Sequence, residues 1–96
     1  MDMTKFKTRS SSALELYVKP EILHATLEMV NVCYQATRVN NDYQSERIFE
    51  KLFLSFWDAR DVEGALNCQL TFEHFKKDKT LSINSVTLHT SRIPNA

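Results

Sequence analysis

Residues 64–83 read GALNCQLTFEHFKKDKTLSI, and the spacing of their apolar positions decides the fold. Leu66, Cys68, Leu70 and Phe72 alternate with Asn67, Gln69, Thr71 and Glu73. Alternation of period two marks a strand with one buried face. Lys76-Lys77-Asp78-Lys79 follows as a charged turn, and Leu81 and Ile83 resume the alternation in a second strand. Beyond Asn84 the apolar parity slips to Val86 and Leu88, which places a bulge near Asn84 and Ser85. The expectation is an antiparallel hairpin. Gly64, the single glycine of the chain, serves the turn that leads into it.

Upstream, the periodicity differs. Leu14, Leu16 and Val18 alternate with Glu15, Tyr17 and Lys19, which reads as a half-buried strand. Pro20 stops it and, with Glu21 behind, suits the start of a helix. That first helix runs to about Arg38 on a stripe of Leu23, Leu27, Val30, Tyr34 and Thr37, widened by Ile22, Met29, Cys33 and Ala36. Val39, Asn40 and Asn41 end it, the asparagines standing in for a left-handed glycine. A second helix, capped by Asn41 or Asp42, runs to about Arg60 with Phe49, Leu52, Phe53, Phe56 and Trp57 on its apolar face. The predicted order is therefore β-α-α-β-β, an α+β two-layer sandwich with two helices on a three-stranded antiparallel-type sheet. Residues 13–91 form the single domain, preceded by a basic arm over 1–12 and followed by a tail over 92–96.

A chain of 96 residues has room for one core. Twelve lysines and arginines balance twelve aspartates and glutamates, so binding nucleic acid by bulk charge is excluded as a mode. The same balance leaves little self-repulsion to oppose association. Cys33 and Cys68 lie in apolar patterns without paired spacing, and no secretory apolar region opens the chain. No apolar stretch approaches the ~20 residues of a membrane span. These features point to a cytoplasmic protein with two reduced core thiols.

Catalytic and ligand-binding chemistry finds little support. His24 and Glu28 lie one helical turn apart, but two ligands do not hold a metal alone. His74 and His89 fall at opposite ends of the expected hairpin, and nothing assembles a general base with its target. Cys33 sits on a face that should be buried, where a thiolate is disfavoured. One glycine cannot build a phosphate-binding loop. Asp58, Asp61 and Glu63 cluster at the end of the second helix without the ligand spacing of a calcium loop. The expectation is a non-enzymatic protein with no catalytic residues, cofactor or metal.

Two function readings remain. Phe49, Leu52, Phe53, Leu54, Phe56 and Trp57 fall within one short segment and cover more of the second helix than the ~100° stripe one small sheet hides. Either the excess packs inside the domain, or Phe53, Leu54 and Trp57 form a patch for a second copy of the chain or for an unidentified protein partner. The leading expectation is a protein-interaction or regulatory protein, self-associating as a dimer through this helix.

The weaker reading is nucleic acid. Lys5, Lys7 and Arg9 alternate in the basic arm and share one face if it is extended. The order strand, proline, helix, turn, helix across Leu14 to Trp57 also resembles that of ribbon-helix-helix repressors. The resemblance implies a small DNA-binding regulator whose paired strands read the major groove. It covers about half the chain and rests on element order. Glu15 among the outward residues of the strand would set a carboxylate against phosphates, which places DNA binding second.

Overall fold

Leu14–Val18 forms strand β1, Leu23–Arg38 helix α1, Asp42–Asp58 helix α2, Val62–Lys77 helix α3 and Val86–Thr90 strand β2. Short 3-10 turns occupy Pro20–Ile22 and Ile83–Ser85. The computed structural model describes residues 13–90. The arm over 1–12, with Lys5, Lys7 and Arg9, and the tail over 92–96 lie outside the described residues.

The order is thus β-α-α-α-β, and it corrects the expected β-α-α-β-β sandwich: β1 and β2 pair in parallel as a two-stranded sheet. The stretch read as a hairpin strand is α3. Its alternation arises from two stripes on opposite sides of one helix. Ala65, Cys68, Phe72 and Phe75 are buried at helical spacing, while Leu66 and Leu70 are 54% and 53% exposed. A two-residue offset turns about 200° around a helix, so the two stripes interleave and mimic period two. Helix formers dominate here, and Thr71 is the only β-branched residue from Gly64 to Lys77. Asp61 caps the helix, its Oδ1 accepting from Gly64 N at 2.8 Å. Glu63 lies in the first turn, and His74, Lys76 and Lys77 lie in the last, as the dipole favours. Leu81 and Ile83 belong to no strand, and with no hairpin there is no bulge at Asn84-Ser85.

Gly64 does not make the turn between α2 and α3. Arg60 does, at φ 62°, the one non-glycine residue with positive φ among the described residues. Asp61 N donates to Phe56 O at 2.9 Å and Arg60 N to Trp57 O at 3.0 Å, which closes a Schellman-type end on α2. The expected left-handed asparagines are absent: Val39 leaves α1 in an extended conformation, and Asn41 caps α2 by accepting from Gln44 N at 3.0 Å.

Parallel strands need a long crossover, and all three helices supply it. Leu14 pairs with Val86, Leu16 with Leu88 and Val18 with Thr90. Leu16 and Val18 are buried. Leu16 joins a core of Met29, Val30, Cys33, Ala36, Cys68, Phe72 and Phe75. On α1 the inner face is Met29, Val30, Cys33, Ala36 and Thr37; Leu27, expected within the stripe, is exposed. β2 packs on α1 and β1 on α3, while α2 packs on the two helices. The loop into β2 is tied to the end of α1: Arg38 donates to Leu81 O, and Lys79 Nζ donates to Thr37 O at 2.6 Å.

The single glycine therefore sits four residues from the position where the backbone needs one. A Cβ at Gly64 would lie 2.5 Å from Phe56 Cδ1 and 2.6 Å from the Asp61 carboxylate. Gly64→Ala should destabilise the fold by about 1–3 kcal/mol despite the better helix propensity of alanine. Arg60→Gly should stabilise it by up to about 1 kcal/mol, since glycine carries no penalty at positive φ. Urea unfolding of both variants measures the two opposite signs.

Candidate interaction surface

The titratable groups are dispersed over the described surface. His24 Nε2 lies 3.1 Å from Glu28 Oε2 on an exposed stretch of α1. His89 Nε2 lies 3.0 Å from Glu15 Oε1, with its ring stacked on Tyr17 at a centroid distance of 4.7 Å. Glu15 therefore faces outward from β1 but against a histidine of β2. His74 stands on α3 with Nε2 3.5 Å from Ser85 Oγ. Burial pushes its pKa below the usual 6.5; Lys77 lowers it further and Asp78 opposes them. Asp61 of the acidic cluster is occupied as the α3 cap. Among the described residues no group of three metal-ligating side chains converges.

Cys33 and Cys68 are free, fully buried and 3.9 Å apart, sulfur to sulfur, where α1 meets α3. The Cys33 thiol is driven well above its ordinary range by its hydrogen bond to Cys68 and by burial. A thiol held protonated is a poor nucleophile.

The large apolar surface lies elsewhere. Helix α2 turns Phe49, Leu52, Phe53 and Phe56 against the core as half-buried side chains. Phe53 is held between Phe49 and Trp57, with ring centroids at 5.7 and 6.2 Å. Leu54 and Trp57, one turn apart, face outward. Of the three residues marked from the sequence, Phe53 is thus part of the packing of α2, and Leu54 and Trp57 are on the surface.

Three further residues join them that the sequence reading assigned to the inner face of a strand, or passed over. Val62, Leu66 and Leu70 stand at four-residue steps along α3 and form one exposed ridge. The four-residue spacing was present in the sequence and carried the signal. Trp57, Asp58, Arg60 and Val62 line a shallow groove of about 430 Å³, which joins the α2 patch to this ridge across the Arg60 turn. At the other end of the ridge, Leu70 shares a second groove of about 660 Å³ with Leu14, Glu73, His74, Lys76 and Lys77. From Leu54 to Leu70 the five apolar side chains are between 46% and 56% exposed. No described helix is long and apolar enough to cross a membrane.

Comparison with protein-family models, with curated proteins and with solved structures finds no match for the chain.

Two measurements test the chemistry of the interior. Thiol titration of the native protein should label neither cysteine rapidly, and both should react once denaturant is added. His74 titrates lower in the fold than in the unfolded chain, so the unfolded state takes up the proton first. Stability should therefore fall as pH drops below about 6.5, down to the depressed folded value, and hold steady above it. Urea midpoints across that window should show this slope in the native protein and a weaker one in His74→Asn.

Proposed function

We propose that this chain is a small non-enzymatic protein that acts by binding protein, and that it self-associates through the apolar surface of α2 and its turn into α3. The observation that carries the reading is the set Leu54, Trp57, Val62, Leu66 and Leu70, each about half exposed, with Trp57 and Val62 meeting in one groove. Scattered surface leucines need no explanation, but contiguous apolar patches of this kind are characteristic of interaction sites. Tryptophan is favoured at the centre of such contacts because its large ring buries much area with little loss of freedom. A formal net charge of zero supports association, since the two copies do not repel as wholes. Two free thiols 3.9 Å apart fit a reducing compartment, which supports a cytoplasmic setting.

The test is sedimentation equilibrium or light scattering over a range of concentrations, on the native chain and on Leu54→Glu and Trp57→Glu. The native chain should be a dimer. Each glutamate variant should remain folded by circular dichroism, because the replaced side chain is exposed. Each should weaken the dimer by about 30-fold or more, because the lost burial of roughly 1–2 kcal/mol counts once in each copy. A native chain that stays monomeric at high concentration overturns the self-association reading.

A further inference from the structure

We propose that the contact between copies is an antiparallel pairing of α3 with itself, with Leu66 on the two-fold axis and Val62 of each copy opposite Leu70 of the other. This rests on the self-association reading above and adds the surface, the partner and the direction. It is carried by the placement of the exposed side chains on α3 together with the charges at its two ends.

Val62, Leu66 and Leu70 form a single ridge at four-residue steps. Ridges of that spacing pack into the matching grooves of a like helix. Three equally spaced residues are symmetric about the middle one, which is the condition for a two-fold contact in which the same patch meets itself.

Charge fixes the direction. The N-terminal end of α3 carries Asp58, Asp61 and Glu63 with Arg60 among them and is acidic on balance, and the C-terminal end carries Lys76, Lys77 and Lys79 with Glu73 and Asp78 among them and is basic on balance. Antiparallel pairing sets the acidic end of one copy beside the basic end of the other, and it opposes the two helix dipoles. Parallel pairing would set acid beside acid and base beside base.

Shape agrees with charge. Trp57 lines the same groove as Val62, so placing Val62 opposite Leu70 of the second copy brings Trp57 to the groove that opens at that Leu70. That groove, about 660 Å³ in volume, has Leu14 and Leu70 for the indole face and Lys76 and Lys77 at its rim. An aromatic ring beside ammonium groups is a favourable pairing.

The area is adequate as well. Leu54, Trp57, Val62, Leu66 and Leu70 together expose roughly 500 Å² of apolar surface per copy. A stable contact of standard size buries about 800 Å² per partner, a little over half of it apolar, so these side chains supply the apolar share. The charged ends of α3 supply the rim.

Single cysteines at the ridge read the geometry directly. Leu66→Cys, Val62→Cys and Leu70→Cys are each treated with a short bis-maleimide at concentrations where the native chain sediments as a dimer. Cys33 and Cys68 are buried and do not compete. Leu66→Cys should cross-link to itself in most of the protein. Val62→Cys and Leu70→Cys should each cross-link poorly alone and efficiently when mixed. Equal self-cross-linking at all three positions would mean parallel pairing and overturn the proposal. No cross-linking in a chain that still sediments as a dimer would move the contact off α3, overturning this inference while leaving the self-association reading intact. A monomeric native chain removes both.

Discussion

The contact of Cys33 with Cys68, sulfur to sulfur at 3.9 Å, lies where α1 and α3 are pressed together, and the remaining elements are placed by that pair of helices. Two small side chains, with Ala36 and Ala65 close along the same helices, let the axes approach more nearly than leucines would allow. Phe72 and Phe75 then fill the space on either side. Phe75 sets its edge against Tyr34 of α1, and Phe72 stacks on Phe49 of α2 at 4.4 Å. A two-stranded parallel sheet has little stability of its own, because each strand satisfies only one edge. Here β1 and β2 stand because Leu16 is packed into the α1–α3 core, while Lys79 and Arg38 tether the loop that delivers β2.

That arrangement explains why the outer surface is so apolar. The inner face of α3 is spent on α1, α2 and β1, and among the described residues Val62, Leu66 and Leu70 on its other side stay about half exposed. Helix α2 packs mainly on the other two helices, and among the described residues Leu54 and Trp57, on the side turned away from Phe49 and Phe56, stay about half exposed. The fold is thin, with extents of 40 × 38 × 17 Å, and a thin body has much surface for its volume.

Local chemistry made much of this legible beforehand. β1 was readable from strict alternation ended by Pro20, the extent of α1 from its apolar stripe, and the start of α2 from Asn41 as a cap. The surplus on α2 was readable because six large apolar residues cannot share one stripe. The sheet was not readable, since the pairing of β1 with β2 joins residues more than seventy positions apart and leaves no local trace. Helix α3 was misread for a sharper reason. Cys68 and Phe72 face the core while Leu66 and Leu70 face away, and two leucine-sized stripes half a turn apart generate the same string of letters as a strand. What separates the alternatives is composition: the segment has one β-branched residue, a capping aspartate three positions before Gly64 and lysines in its last turn.

The misleading alternation and the exposed apolar ridge have one origin. Apolar periodicity identifies a strand or a helix only when every apolar residue in the segment is buried within the same chain, because only then does the pattern trace one face. In α3 that condition fails: among the described residues Val62, Leu66 and Leu70 are apolar and about half exposed. An amphipathic helix needs one hydrophobic face to fold against its neighbours. A second face opposite the first adds nothing to the folding of the single chain and lowers its solubility. The features that defeat the one-face rule in α3 are therefore the same ones that form its exposed ridge, and a helix apolar on two opposite sides writes the alternation of a strand without being one.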